Sequence, residues 1–124
     1  MLLATAEKPT ATGLAAQRVL NSMGVQMGFY LPQDYFKAGD YERAAVVLEV
    51  ATKIGPPRPF VLYNLASAQA RLGKRKRALE ALEQAVEAGY SNAEYLEQDQ
   101  DLESLRKLPD YQKLIARLKA AEVP

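Results

Sequence analysis

A chain of 124 residues, 48 % hydrophobic and 25 % charged, has the composition of one ordinary globular domain. Its formal net charge of +1 gives no overall field that favours nucleic acid or an anionic membrane surface. Because the sequence contains no cysteine and no histidine, it lacks thiol nucleophiles, Cys/His zinc sites and imidazole bases. No run approaches the roughly 20 apolar residues of a membrane-spanning helix.

The N-terminus opens with MLLATAEKPT, which lacks the basic region and long apolar run of an intact signal peptide. We therefore expect a flexible segment 1–11 and favour a cytoplasmic protein, while a periplasmic location stays open for a mature fragment. The next segment, 12–24, is predicted to be an amphipathic helix that packs on the elements after it. Its apolar residues are Leu14, Val19, Leu20 and Met23.

Strand signals are nearly absent from the rest of the chain, which is rich in the strong helix formers Ala, Leu, Glu, Lys, Gln and Arg. The chain also resembles itself at a shift of 34 residues, which aligns Gly39 with Gly73. Further aligned pairs are Leu31 with Leu65, Ala44 with Ala78, Leu48 with Leu82 and Ala51 with Ala85. Self-similarity of this length in a helical chain predicts two tandem helical hairpins, at 25–58 and 59–92.

Each hairpin has a local physical explanation. Gly39 and Gly73 lie where the first helix of a unit must end in a left-handed residue, and Asp40 is a good N-cap for the helix that follows. Alanines on both sides of a buried leucine, such as Ala44 and Ala51 around Leu48, allow two helices to approach closely. An all-α fold follows.

The stretch YNLASAQARLGKRKRALEALEQAVEAG, from Tyr63 to Gly89, resembles a tetratricopeptide repeat. That resemblance implies a short right-handed α-solenoid of tandem hairpins with a helical cap at each end. The C-terminal cap, 93–124, is similar to the segment that closes many bacterial arrays, although Lys107 replaces the glycine of a true third repeat. The implied function is non-catalytic: a concave groove binds a partner protein or peptide.

In that family the first helix of each hairpin lines the groove. Carried over by position, the predicted peptide-binding residues are Phe29, Tyr30, Gln33, Phe36, Lys37, Phe60, Tyr63, Asn64, Ser67 and Arg71, with Gln26 beside them. Replacing Tyr63 and Asn64 by alanine is then expected to abolish partner capture without melting the helices. The alternative is that the caps cover several of these aromatic rings.

Two other functions stay open at this point. The chain could be an accessory docking or dimerisation domain of a longer bacterial polypeptide, or a scaffold that self-assembles, and a homodimer is possible in either case.

Other functional motifs are weak. The acidic cluster Asp99–Glu103 fails as a calcium loop because Ser104 and Asp110 replace the required glycine and glutamate, so helix capping is favoured and no metal is predicted. The basic run Lys74–Arg77 is expected to be a solvated turn, and no nucleic-acid or membrane partner is predicted. No nucleophile–base pair or phosphate loop is present, so neither an enzyme activity nor a cofactor is expected.

Pro32 breaks the repeat pattern, because its ring would strike the carbonyl of Gly28 inside a continuous helix. We expect a kinked helix there, or a helix that ends near Tyr30 and a new one that starts at Pro32.

Overall fold

The computed structural model of this chain describes residues 11–25 and 30–122. In these ranges the segments rich in helix formers are helical, and glycine or proline lies at many of the connections between them. Neither range contains a strand, so the all-α class is confirmed, whereas the solenoid arrangement stays a prediction. The helices are α1 (Ala11–Val25), α2 (Leu31–Lys37), α3 (Tyr41–Thr52), α4 (Pro59–Arg71), α5 (Arg75–Glu87), α6 (Ala93–Gln98), the 3₁₀ helix η1 (Gln100–Leu105) and α7 (Pro109–Glu122). None of these helices is both long enough and apolar enough to cross a membrane.

Two tight turns join α2 to α3 and α4 to α5, and both depend on glycine. Gly39 and Gly73 have φ values of 71° and 77°, in the left-handed region that side chains with a Cβ disfavour, as predicted. The amide of Asp40 then donates to the carbonyl of Tyr35 at 2.8 Å, and the equivalent bond in the second turn has nearly the same length. The side chain of Asp40 also accepts a bond from the backbone amide of Arg43, so the predicted N-cap of α3 is confirmed.

The core runs without interruption from the hairpins into the C-terminal segment. Its most completely buried residues, all with 0 % of their surface exposed, are Ala44, Leu48, Ala66, Ala68, Ala78, Leu82, Ala85, Leu96, Leu102 and Leu105. Alanine at the contact between α4 and α5 lets these helices pack closely, and leucine fills the space beside it. Because η1 packs against α4, the C-terminal segment is part of the same body as the second hairpin.

The first helix makes little contact with this core. α1 leaves Val19 and Met23 at 59 % and 44 % exposed. Leu14 is nine residues from Met23 and so points to the opposite side of a helix with 3.6 residues per turn. No single packed face could therefore bury both residues. The predicted flexible segment lies, apart from Ala11, outside the described residues, and the predicted division into caps and repeats stays untested.

Pro32 is buried in the first turn of α2, a position where proline removes no helical hydrogen bond. Residues 26–29, which include Gly28 and connect α1 to α2, lie outside the described residues. The choice between a kinked helix and a new helix at Pro32 therefore stays a prediction.

Candidate protein-interaction surface

The residues predicted to bind a peptide differ widely in burial. Tyr30 and Phe60 are 56 % and 39 % exposed, and Lys37 is exposed as well. Gln33, Phe36 and Asn64 are half-buried, Arg71 is exposed, and Tyr63 and Ser67 are buried. Phe29 and Gln26 lie outside the described residues. The structure thus divides the predicted set into an exposed part and a part that belongs to the interior.

Tyr63 is held by the C-terminal segment. Its hydroxyl donates a hydrogen bond to Oδ2 of Asp99, and only 6 % of its surface is exposed. Its ring stacks on Tyr90 with 4.8 Å between centroids, and the ring of Tyr95 lies 5.7 Å away on a tilted plane. We call Tyr63, Tyr90 and Tyr95 the tyrosine cluster. It joins α4 to the segment that follows α5.

Ser67 lies one turn after Tyr63 and also faces inward. Its Oγ donates to the backbone carbonyl of Tyr63 at 3.2 Å, so its polar group is satisfied within α4. A partner peptide would have to displace packed residues to reach Tyr63 or Ser67. The predicted role of these two residues in peptide binding stays untested.

Arg71 connects three parts of the fold. Its Nε donates to Oδ1 of Asp101 in η1 at 2.6 Å, and its guanidinium lies 5.6 Å from the ring centroid of Tyr41 in α3. Phe36 of α2 meets the same Tyr41 ring edge-on at 5.8 Å. The C-terminal ends of α2 and α4 therefore meet at Tyr41, and the charge of Arg71 is already paired. Lys37 forms no ion pair with any other residue that the structure describes.

The acidic residues at the start of η1 serve the fold. Oδ1 of Asp99 accepts a bond from the amide of Asp101 at 2.9 Å, which confirms Asp99 as a helix cap, and its carbonyl accepts a bond from Arg106. Within the described ranges, no group of three or more acidic side chains is arranged to hold a metal ion. The hydrogen bonds of Asp99 thus hold the start of η1 in place.

Stability should decrease at alkaline pH because of the buried tyrosines. Burial, and next the hydrogen bond to Asp99, raises the pKa of Tyr63, while burial raises the pKa of Tyr90 to about 12. A tyrosine whose pKa is higher in the folded state keeps a proton that the unfolded chain has lost. We therefore expect the buried tyrosines to contribute no pH dependence to the free energy of unfolding well below about pH 10, and to lower it between about pH 10 and pH 12.

Urea unfolding at about pH 8 and about pH 11 measures this difference. Tyr90→Phe is the matched variant, and its free energy of unfolding should fall less over the same interval. A free energy that rises with pH, or an equal decrease in Tyr90→Phe, would contradict this interpretation of the cluster.

The sequence did not indicate that Tyr63 and Arg71 are contacted by residues from the C-terminal part of the chain. These residues are Tyr90, Tyr95, Asp99 and Asp101. Asp99 follows Tyr63 by 36 residues and Asp101 follows Arg71 by 30 residues. Both spacings are near the 34-residue shift. Searching about 34 residues after Tyr63 and Arg71 would therefore have pointed to the region that contains their partners.

Comparison with known proteins identifies the family. The family model described as "A/B hydrolase-like, N-terminal domain" matches residues 35–123. A chloroplastic protein of Arabidopsis thaliana is 34 % identical over 84 residues, which are 65 % of this chain and 25 % of that protein. The chain thus spans about a quarter of the length of this relative. No solved structure matches.

The assignment to the tetratricopeptide repeats is therefore wrong. Glycine after the first helix and alanine at the helix contact are what any tight helical hairpin needs, so these residues predict hairpins but do not distinguish families. The departures at Pro32 and Lys107 were signs of the difference. By the match over residues 35–123, the chain belongs to the family of A/B hydrolase-like N-terminal domains.

Proposed function

We propose that the chain is a non-catalytic domain that binds another protein through the exposed sides of α2 and α4. We call Tyr30, Gln33, Lys37, Phe60 and Asn64 the α2/α4 face. The observation that carries the proposal is the exposure of two large aromatic side chains here, Tyr30 at 56 % and Phe60 at 39 %. Aromatic residues contribute much of the binding energy at protein interfaces, because they bury a large area at a small cost in side-chain entropy.

The packing beneath this face supports the proposal. α2 and α4 both pack against α3, and their C-terminal ends meet at Tyr41 through Phe36 and Arg71. Phe60 thus lies on a helix whose interior side chains contact more than one other helix, and Tyr30 directly precedes α2. A preorganised surface loses less entropy on binding than a mobile one.

A non-catalytic role is supported by the chemistry of the chain. The sequence has neither a cysteine nor a histidine, and the buried tyrosine and carboxylate groups take part in hydrogen bonds that hold helices together. The family description also names an N-terminal domain.

A second candidate function is docking within one longer polypeptide. It is favoured by the family description and by the match to about a quarter of a longer relative. In that case the same α2/α4 face would contact a neighbouring domain of its own chain.

Site-specific photo-crosslinking tests the proposal and separates the two candidates. A photoreactive phenylalanine analogue is placed at Phe60 or, as a control, at Glu80, which is exposed on α5, in the natural polypeptide within its own cells. We expect a crosslink from position 60 and none from position 80. A heavier product shows a separate partner, and a crosslink mapped within one chain shows internal docking. Equal crosslinking from both positions, or crosslinking from position 80 alone, would overturn the proposed face.

A further inference from the structure

We propose that a second site on this domain binds a carboxylate group that carries an aliphatic substituent. The site is a cleft of about 370 Å³ between the α3–α4 loop and the end of α5. It lies at the end of the hairpins opposite the Gly39 and Gly73 turns, and the proposal does not depend on the α2/α4 face. Its lining includes Ala51, Arg58, Val61, Leu62, Glu87 and Ala88.

Arg58 supplies the argument for an anionic ligand. Its Nη1 is buried and donates no hydrogen bond to any residue in the described part of the chain, and the guanidinium forms no ion pair there. A guanidinium group has five N–H donors and no acceptor atom, so the buried N–H needs an acceptor from elsewhere. A buried charged donor without an acceptor is costly, and a shift of the Arg58 side chain toward an acceptor on a ligand in the cleft would remove that cost.

The remaining lining explains why a carboxylate with an aliphatic group fits best. Val61 and Leu62 are 1 % and 5 % exposed, so the wall of the cleft beside Arg58 is aliphatic and belongs to the packed core. The planar guanidinium matches the geometry of a carboxylate, and the N-terminus of α4 adds a positive partial charge on the same side. A volume of about 370 Å³ accommodates a group the size of one amino acid.

Glu87 limits the charge of the ligand. Its exposed carboxylate lines the same cleft and would repel a second negative charge. The site should therefore prefer one carboxylate over a phosphate or a dicarboxylate. Both a small aliphatic acid and the C-terminal residue of a peptide have this chemistry.

The test is an NMR titration of the whole chain that follows the methyl signals of Val61 and Leu62. The probes are N-acetyl-leucine, its amide, acetate, and a tetrapeptide that ends in leucine with a free or an amidated C-terminus. We expect N-acetyl-leucine to shift both methyl groups at millimolar concentration, and the amides to bind at least about tenfold more weakly. Tighter binding of the free tetrapeptide would identify a peptide C-terminus as the source, and equal or weaker binding would identify a small acid.

Substitutions then assign the effect to the cleft. Arg58→Gln should weaken binding of N-acetyl-leucine at least about tenfold, because it removes the charged donor and no capping bond. Arg75→Gln, at an exposed position on α5, is the matched control and should leave binding unchanged. Ala88→Leu should fill the cleft and abolish binding while Arg58 is intact. The proposal is overturned if the acid and its amide bind equally, if Arg58→Gln binds like the wild type, or if millimolar probe causes no shift at Val61 and Leu62.

Discussion

Replacing Leu82 by alanine is expected to lower the free energy of unfolding by about 3 kcal/mol. Leu82 has none of its surface exposed and lies on α5, which packs most closely against α4. Its neighbours on the buried side of α5, Ala78 and Ala85, are too small to fill the space left by the lost side chain. A cavity therefore remains, and its cost adds to the lost burial of apolar surface.

Urea unfolding followed by circular dichroism measures this effect. Val46→Ala on α3 is the matched control, because Val46 is 61 % exposed and its truncation should change the free energy by less than about 0.5 kcal/mol. Similar losses for the two variants would show that the α4–α5 contact is not the centre of the core.

Replacing Tyr63 by alanine is the second large expected effect, a loss of about 3 to 4 kcal/mol. The substitution removes a buried ring that stacks on Tyr90 and leaves Oδ2 of Asp99 without its donor. Tyr63→Phe keeps the ring and loses only the hydroxyl, so it should cost about 1 to 2 kcal/mol. The difference between the two variants separates ring packing from the hydrogen bond.

Tyr95→Phe is the control for Tyr63→Phe. Tyr95 belongs to the same cluster but is 55 % exposed, so removing its hydroxyl should change the free energy by less than about 0.5 kcal/mol. An equal loss for Tyr95→Phe and Tyr63→Phe would contradict the role given to the bond between Tyr63 and Asp99.

These expectations change the test that the sequence alone suggested. Replacing Tyr63 together with Asn64 was expected to remove binding without melting the helices. Because Tyr63 is buried and bonded to Asp99, the same substitution would destabilise the fold, and lost capture could not be attributed to a binding surface. Substitutions at the exposed Tyr30 and Phe60 avoid this ambiguity.

Features that depend on neighbouring residues were predicted well. Gly39 and Gly73 end helices because a left-handed residue is needed there, and Asp40 caps α3. Each of these features is decided within about one helical turn, so the local sequence contains the necessary information.

Features that depend on distant pairing were not predicted. Tyr63 and Arg71 look like groove residues on their own helix, and only contact with Asp99 and Asp101 shows that their polar groups are already used. The family assignment failed for a related reason, because residues required by any tight hairpin were taken as the mark of one repeat family.

We propose that the exposed aromatic residues of the α2/α4 face bind a protein, whereas the buried Tyr63 and Tyr90 stabilise the fold. The most direct test of this proposal measures capture of the crosslinked partner, or of the neighbouring domain, by Tyr30→Ala with Phe60→Ala and by Tyr63→Phe. We expect the exposed pair to lose at least about 30-fold in affinity with little change in stability. Tyr63→Phe should keep its affinity and lose stability. Retained affinity in the exposed pair, or lost affinity in Tyr63→Phe while it is fully folded, would contradict this proposal.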